Sequence, residues 1–190
     1  MERVVHSASP GYHAVRFYEN EKSLVQVVAA FLAEGLAGGH PAIVVASPSQ
    51  RASIIRALTA RSLDVVQLQR ANDLVLLDGK DTLAGFMTDG KIDAEAFTNI
   101  MCDAIKRTCR GRKDCTVRIY GQMVDILWQD GQQDAALRLE MLWNQLGHAE
   151  AFSLLCGYAM GHFYKDVDVH DVCSHHTDVL SADGRRPRVA

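Results

Sequence analysis

Residues 42–54, AIVVASPSQRASI, place a short apolar run before a turn of small residues and the start of a helix. Segments with the character of strands recur at 13–18, 73–78, 115–124 and 152–158, and apolar residues at helical spacing fill the intervals between them. The run at 73–78, DLVLLD, is almost continuously apolar, as in a strand that is covered on both faces. Strands that alternate with helices in this way predict an α/β three-layer sandwich with a mostly parallel central sheet.

Apolar residues that recur at intervals of three and four predict the helices. They lie at 19–39, 49–61, 82–87, 93–108 and 132–146, with a further helix beyond Gly121. Two segments are less regular, and DVVQL at 64–68 is predicted as a short extended piece, while 165–180 is predicted as one last helix. We expect a single domain over 12–180 between flexible ends at 1–11 and 181–190.

The composition is that of a globular protein, with 48% hydrophobic and 23% charged residues. The net charge of −3 gives no reason to expect direct contact with nucleic acid. No apolar run approaches the ~18–20 residues needed to cross a bilayer, and the N-terminus lacks the apolar core of a signal peptide. We therefore expect a cytoplasmic protein that does not bind membranes. Its five cysteines, an odd number without C-x-x-C spacing, are expected to be mostly reduced and buried rather than a disulfide framework.

The turn at 46–53 has the position of a phosphate-binding P-loop but not its chemistry. A P-loop needs three things: glycines whose N–H groups converge on the phosphate, a lysine that reaches the outer phosphates, and a hydroxyl that holds magnesium. The turn ASPSQRAS contains neither glycine nor lysine, and Pro48 removes a backbone donor. Asp78, which ends LVLLD, resembles the magnesium aspartate of nucleoside triphosphatases, but aspartate is also a common turn former. Nucleotide hydrolysis is therefore not predicted, although the free N–H groups near Ser49 still suit an anion.

Ligands of parallel α/β sheets bind beyond the carboxyl ends of the strands. The candidate ligand residues at these ends are Tyr18, Ser47, Asp78, Tyr120, Gln122 and Tyr158.

The segment HDVCSHH at 170–176 gathers residue types that bind zinc. On a helix, His170, Cys173 and His176 share one side. Their spacing matches no standard zinc module, and histidine suits the dipole at a helix C-terminus. An ordinary helix end is the preferred interpretation, so no metal or other cofactor is predicted, and these three residues are the metal candidates.

Several segments, taken in order, resemble one family. HAVRFYENEKSLVQVVAAFLAEGLAGGHPAIVVAS (13–47) is similar to the opening of the MEDS domain, the methanogen/methylotroph DcmR sensory domain, and VRIYGQMVDILWQDG (117–131) resembles its Arg-x-Tyr-Gly-Glu-Met segment. LRLEMLWNQL (137–146), FSLLCGY (152–158) and VCSHHTDVL (172–180) resemble its Leu-Glu-x-x-Trp-Asn helix, its penultimate strand and its closing Cys-x-x-His segment. The resemblance implies a RecA/KaiC-like fold without a P-loop, in a sensory module that works with histidine kinases and DNA-binding regulators.

The resemblance also implies a pocket for a small ligand. Carried over onto this chain, the candidate pocket residues are His13, Tyr18, Arg118, Tyr120, Gln122, Glu140, Trp143, Asn144, Cys156 and Tyr158. Gln122 departs from the family, which usually has glutamate there, and the amide keeps the hydrogen-bonding capacity while losing the charge.

Each of these residues also has a structural interpretation. Trp143 lies on the apolar stripe of its helix and is expected in the core rather than in a pocket. Glu140 is a candidate partner for Arg118 in a buried ion pair. His13 has an alternative interpretation as an ordinary histidine of a strand whose hydrogen bonds are satisfied. Arg118, with Tyr120 and Gln122 next to it in sequence, is preferred as a ligand contact at the carboxyl end of the sheet.

We therefore predict a non-enzymatic sensory and signal-transduction domain. It would bind a small molecule, of a one-carbon or hydrocarbon-derived class, and signal to a histidine kinase or a transcription regulator. Self-association is left open. The alternatives are a ligand-free interaction module, as a degenerate RecA-like subunit, and a residual nucleotide-binding ATPase.

Overall fold

Six parallel strands form the central sheet of the computed structural model, which describes residues 10–163 and 166–180. In chain order the strands are β1 (His13–Tyr18), β2 (Ala42–Ala46), β3 (Leu74–Asp78), β4 (Met87–Thr88), β5 (Lys91–Ile92), β6 (Val117–Gly121), β7 (Phe152–Ala159) and β8 (Asp178–Leu180). Across the sheet the order is β3-β2-β6-β7-β1-β8, while β4 and β5 pair with each other as a separate antiparallel hairpin. The predicted parallel α/β sheet is confirmed.

Helices cover both faces of this sheet. They are α1 (Glu21–Ala37), α2 (Pro48–Thr59), α3 (Val65–Arg70), α4 (Gly79–Ala84), α5 (Ala94–Thr108), α6 (Met123–Gln129), α7 (Gln133–Leu146) and α8 (Asp166–Ser174), with a short 3₁₀ turn at Met160–His162. The apolar side chains of α1, α2 and α3 pack into one core, and those of α4 to α8 pack into the other. The three layers are thus α1–α3, the sheet, and α4–α8.

Alternation along each strand supplies both cores. In β2, Ala42 and Val44 face the α1 side, whereas Ile43 and Val45 face the α7 side, and all four are fully buried. Because successive side chains of a strand point to opposite faces, a strand covered on both sides must be apolar at every position. This explains why AIVVA contains no polar residue.

Two segments differ from the sequence-based expectation. Residues 64–68, predicted as extended, begin helix α3, because the Asp64 carboxylate accepts a hydrogen bond from Gln67 N at 2.9 Å and so caps a helix start. The segment 165–180, predicted as one helix, ends its helix at Ser174 and continues as β8, which pairs in parallel with β1. The Thr177 N–H donates to the His13 carbonyl at 2.7 Å, and this hydrogen bond leads the chain from α8 into the sheet.

The cysteine expectation is wrong for one pair. Cys109 and Cys115 form a disulfide that closes the loop between α5 and β6, with their Cα atoms 5.8 Å apart. The other three, Cys102, Cys156 and Cys173, are free thiols, as expected.

The predicted flexible ends lie largely outside the described residues. Within the described part of the N-terminal segment, Gly11 N donates to Phe152 O at 3.0 Å. None of the helices in the described ranges is both long and apolar enough to cross a membrane.

Candidate ligand-binding site

The turn after β2, where a phosphate cradle would lie, is closed by the protein's own side chains. The Ser47 N–H donates to Gln122 Oε1 at 2.8 Å, and Ser47 Oγ caps α2 by accepting from Gln50 N. Arg51 Nη2 donates to Asp78 Oδ2 at 2.9 Å, while the other carboxylate oxygen of Asp78 caps α4. The Ser47 and Gln50 N–H groups and both carboxylate oxygens of Asp78 are therefore already used in contacts within the fold.

A second polar group lies at the carboxyl end of β1 and β7. The buried Asp125 of α6 accepts hydrogen bonds from Tyr18 Oη at 2.7 Å, from Gln129 Nε2 at 2.8 Å and from the Ala159 N–H at 3.0 Å. Burial raises the pKa of Asp125, and the three hydrogen bonds only partly offset that rise. Sequence reasoning missed Asp125 and Gln129. The one available signal was a polar pair four residues apart on an otherwise apolar helix.

A third polar group, the His13 cluster, lies inside the core between the sheet and α7. It comprises His13 at the start of β1, Glu140 on α7, Cys156 in the middle of β7, and His176 in the connection between α8 and β8. The side chains of His13, Glu140 and His176 are 4%, 0% and 0% exposed, and Cys156 is likewise fully buried. One potential ligand atom from each of the four residues lies within 4.8 Å of the others.

Glu140 is at the centre of the His13 cluster. Its Oε2 is 3.1 Å from His13 Nε2, and its Oε1 is 3.3 Å from His176 Nε2. Cys156 Sγ is 3.6 Å from Glu140 Oε2 and 3.5 Å from His13 Nε2. Tyr158 also contacts Glu140, because its hydroxyl donates a hydrogen bond to Glu140 Oε1 at 2.8 Å.

Hydrogen bonds outside the cluster orient both imidazoles. His176 Nδ1 is 2.7 Å from the Val172 carbonyl, which can only accept, so Nδ1 carries a proton. His13 Nδ1 is 2.9 Å from Asn144 Oδ1, and Asn144 Nδ2 donates to His175 O at 2.8 Å, which leaves Oδ1 as the acceptor for His13. The Nε2 atom of each ring then faces Glu140.

The ionisable groups of the His13 cluster shift one another. Burial alone would raise the pKa of Glu140, but the charge of His176 and the hydrogen bond from His13 outweigh it and hold that pKa well below its usual range. Burial, followed by the Glu140 charge, raises the pKa of Cys156 and that of Tyr158 well above their ordinary values. The cluster therefore contains a buried carboxylate that is ionised, beside a thiol and a phenol that keep their protons.

The structure brings five of the ten candidate pocket residues into one connected group, namely His13, Glu140, Asn144, Cys156 and Tyr158. This group is not at the carboxyl edge where we expected the site, because His13 is the first residue of β1 and Cys156 pairs with Val15 inside the sheet. Two further candidates, Tyr18 and Gln122, do lie at that edge, in the separate Asp125 and Ser47 contacts.

The other candidates lie elsewhere. Arg118 faces the opposite side of the sheet, where it packs over the Phe31 ring and lies 3.5 Å from Glu34, so the expected pairing with Glu140 is wrong. Tyr120 faces that same side and donates to Gln50 at 2.7 Å. Trp143 is in the core, with its ring 5.1 Å from that of Phe97, as its place on the apolar stripe indicated.

Of the three metal candidates, only His176 joins a group of potential ligands within the described ranges. His170 is exposed and 3.8 Å from Asp171, and Cys173 packs at the border of the core. The candidate set of His170, Cys173 and His176 is therefore not brought together, because the helix ends at Ser174 and His176 turns inward towards Glu140. Its partners are far away in sequence, so local spacing did not indicate them.

The fold and the closed turn after β2 define a RecA-like α/β protein that lacks the residues of a phosphate cradle. In agreement, a KaiC-like protein of the hyperthermophilic archaeon Pyrococcus horikoshii OT3 has a similar crystal structure, with a TM-score of 0.60 at 12% identity, over 90% of this chain and 73% of that one. The model of the MEDS family, the MEthanogen/methylotroph, DcmR Sensory domain, matches residues 12–177. The chain belongs to this family of sensory domains. No curated protein sequence matches it.

Proposed function

We propose that the chain is a non-enzymatic sensory domain that binds a small molecule beside Glu140 and Tyr158 and passes its occupancy to a signalling protein. The observation that carries this proposal is the ionised Glu140 carboxylate, buried beside an aromatic group in a fold whose phosphate turn is closed.

Stability does not account for this arrangement. Removing a carboxylate and two imidazoles from water costs several kcal/mol per charged group, and apolar residues of similar volume often replace buried ion pairs without loss. Glu140 nevertheless lies in a core that is otherwise built from side chains such as Leu139, Leu142 and Leu154. A role in binding explains why a group that is costly to bury is kept there.

Four aromatic rings adjoin the Tyr158 side of the cluster and form what we call the aromatic group: Phe17, Trp128, Tyr158 and Phe163. Trp128 stacks on Phe163 at 4.6 Å, and Tyr158 meets Trp128 edge-on at 5.6 Å. Phe163 is the half-buried member, whereas the other three rings are buried. An apolar wall with one phenol and one carboxylate suits a small compound of the one-carbon or hydrocarbon-derived class.

The His13 cluster is also connected to the edge of the sheet. Asn144 on α7 bonds the His175 carbonyl, and Thr177 bonds the His13 carbonyl, so the 175–177 connection holds β8 against β1. A ligand that binds one arrangement of α7 and this connection more tightly than another shifts the population between them. We propose that a histidine kinase or a transcription regulator detects this shift at the β8 edge.

A thermal-shift screen tests the proposal, with one-carbon alcohols, amines and halides as probes and Mg-ATP as the nucleotide comparison. We expect a member of the one-carbon set to raise the melting temperature, since binding at a hundredfold excess over Kd adds about 2.7 kcal/mol of stability. Glu140→Gln should remove the shift. The matched control Glu150→Gln alters a half-buried carboxylate outside the cluster that lies 3.4 Å from Lys106, and it should keep the shift.

Two outcomes would contradict the proposal. A shift that persists in Glu140→Gln places the ligand elsewhere. If no compound shifts the melting temperature while a partner protein co-purifies in a one-to-one ratio, the ligand-free interaction module accounts for the protein instead.

A further inference from the structure

We propose that the His13 cluster is a binding site for a divalent transition-metal ion of the zinc type. The ligands are Nε2 of His13, Nε2 of His176, the carboxylate of Glu140 and Sγ of Cys156. The inference deepens the proposed function by naming what the polar side of the sensory site holds. The sensory role of the metal site rests on the proposed function, whereas the binding of the metal itself does not.

Three of the four potential ligand atoms are spaced like neighbouring ligands of one tetrahedral ion, and the fourth lies close to them. Bonds of ~2.0–2.3 Å separate neighbouring ligands of a tetrahedral zinc by about 3.3–3.7 Å. Separations of 3.1, 3.5 and 3.6 Å join His13 Nε2, Glu140 Oε2 and Cys156 Sγ. The fourth atom, His176 Nε2, lies 3.3 Å from the other Glu140 oxygen, Oε1, and all four residues offer ligand atoms within 4.8 Å of one another.

The histidines are oriented as metal ligands are. Histidines that bind a metal donate their other ring N–H to a carbonyl or carboxylate, which fixes the tautomer. Here His13 donates to the Asn144 amide oxygen and His176 donates to the Val172 carbonyl. Both Nε2 atoms consequently point towards Glu140, and a metal ion bound there would replace any proton that Nε2 carries.

One of these atoms has no hydrogen bond at all. His176 Nε2 is buried and has no hydrogen-bond partner, although Glu140 Oε1 lies 3.3 Å away. A buried polar atom without a partner carries a free-energy cost, so such atoms are rare in folded proteins. A metal ion at the centre of the cluster would satisfy His176 Nε2 directly.

Charge and ligand type identify the class of ion. Two neutral imidazoles, one carboxylate and one thiolate carry two negative charges, which a divalent ion balances to zero in a core where any net charge is costly. A soft thiolate with two imidazoles selects zinc-type ions over calcium or magnesium, which prefer oxygen ligands. Four protein ligands leave no open position, so the site is of the closed, non-hydrolytic kind.

The ion would connect parts of the chain that are distant in sequence. The ligands come from β1, α7, β7 and the connection before β8, at positions 13, 140, 156 and 176. Metal loading would therefore fix the α8–β8 connection to the rest of the core. Loss of the ion would release the same segment that we propose as the output.

Metal analysis of the full-length protein tests the inference without any substitution. After loading with Zn²⁺ and dialysis against metal-free buffer, we expect one zinc per chain. Replacement by Co²⁺ should give the visible absorption of a tetrahedral ion and a thiolate-to-cobalt charge-transfer band in the near ultraviolet. A chain that retains no zinc, or a cobalt complex without a thiolate band, would overturn the proposal.

Matched substitutions locate the site. Cys156→Ser should remove the charge-transfer band, whereas Cys173→Ser should leave it unchanged. His176→Gln should lower zinc retention, whereas His175→Gln and His170→Gln should retain one ion per chain. The reverse pattern would place the metal at the helix end and refute the cluster as the site.

The two proposals fail separately. If zinc is absent while a one-carbon probe still gives a shift in melting temperature that depends on Glu140, the metal inference is wrong and the sensory proposal stands. If zinc binds with one ion per chain while no probe changes the melting temperature of the loaded protein, the metal site stands and the small-molecule proposal is wrong.

Discussion

Asn144 shows how one residue determines the chemistry of the site. Its amide bridges His13 and the His175 carbonyl, so it fixes the tautomer of one candidate ligand and the position of the segment that carries another. Hydrogen bonds outside a metal's ligand shell commonly matter almost as much as the ligands themselves. Asn144 is thus a positioning residue.

Asn144→Ala is expected to weaken zinc binding about 10–100-fold, because His13 loses the acceptor that orients it. Asn144→Asp keeps an oxygen for His13 Nδ1 but loses the donor to the His175 carbonyl, so it should recover part of the affinity. Competition with a metal-binding dye measures both. The surface substitution Gln145→Ala is the control, and equal affinities for the Ala and Asp variants would contradict the positioning role.

The buried Asp125 predicts a dependence of stability on pH. Burial raises its pKa in the folded state above the ordinary value of 3.8, so the folded protein binds the proton more tightly than the unfolded chain does. Its contribution to the free energy of unfolding is therefore greatest in acid and is lost as the pH rises through the raised pKa. Urea unfolding at a series of pH values should show that the advantage of the wild type over Asp125→Asn shrinks as the pH increases. An advantage that grows with pH would mean that the hydrogen bonds outweigh burial.

Sequence analysis found five of the connected polar residues, because the family resemblance placed them in motifs. The sequence did not indicate which of these residues contact one another in the fold. His13 and His176 are 163 positions apart, and only the pairing of β8 with β1 brings them together. Arg118 was assigned to the wrong face for the same kind of reason, since the face of a fully buried strand cannot be read from a sequence that is apolar on both sides.

The turn between β2 and α2 is the element in which this fold differs most clearly from a phosphate-binding one. Its strand, turn and helix were predicted from residues 42–54, and their bounds are close to those observed. What fills the turn was not predictable, because Gln122 reaches Ser47 from another strand end. The same limit applies to β8, whose three residues are too few to carry a periodic signal.

Gln122 is expected to act as a hydrogen-bond acceptor for this turn. Gln122→Ala leaves the Ser47 N–H without its partner and should lower the free energy of unfolding by about 1 kcal/mol. Gln122→Glu restores the residue usual in the family, still accepts from Ser47, and should match the wild type or exceed it by a few tenths of a kcal/mol at the N-terminus of α2. Denaturant unfolding of the two variants checks the prediction. A Gln122→Ala variant whose free energy of unfolding equals that of the wild type would refute it.

At the scale of the molecule, the protein has a KaiC-like layout, and its buried polar cluster lies away from the turn after β2. One face of the sheet, covered by α1 to α3, is an apolar core that includes the fully buried Tyr120, and Arg118 packs over the Phe31 ring of this core. The other face contains the His13 cluster and the aromatic group. The layout followed from the strand–helix alternation, but the asymmetry between the faces required the structure.

This asymmetry predicts that the protein neither binds nor hydrolyses nucleotides. Mg-ATP and Mg-ADP should leave the melting temperature unchanged, because the turn after β2 offers neither a lysine nor converging free N–H groups. ATP turnover should be absent as well. Magnesium-dependent hydrolysis that disappears in Asp78→Ala would show that a residual ATPase is the better account.

The most direct test of the central claim, that the His13 cluster is the binding centre of this domain, is a crystal structure of the zinc-loaded chain with anomalous data collected at the zinc edge. We predict a single strong anomalous peak within ~2.0–2.3 Å of His13 Nε2, His176 Nε2, a Glu140 oxygen and Cys156 Sγ. An empty cluster, or a peak held by His170 and Cys173 instead, would contradict it.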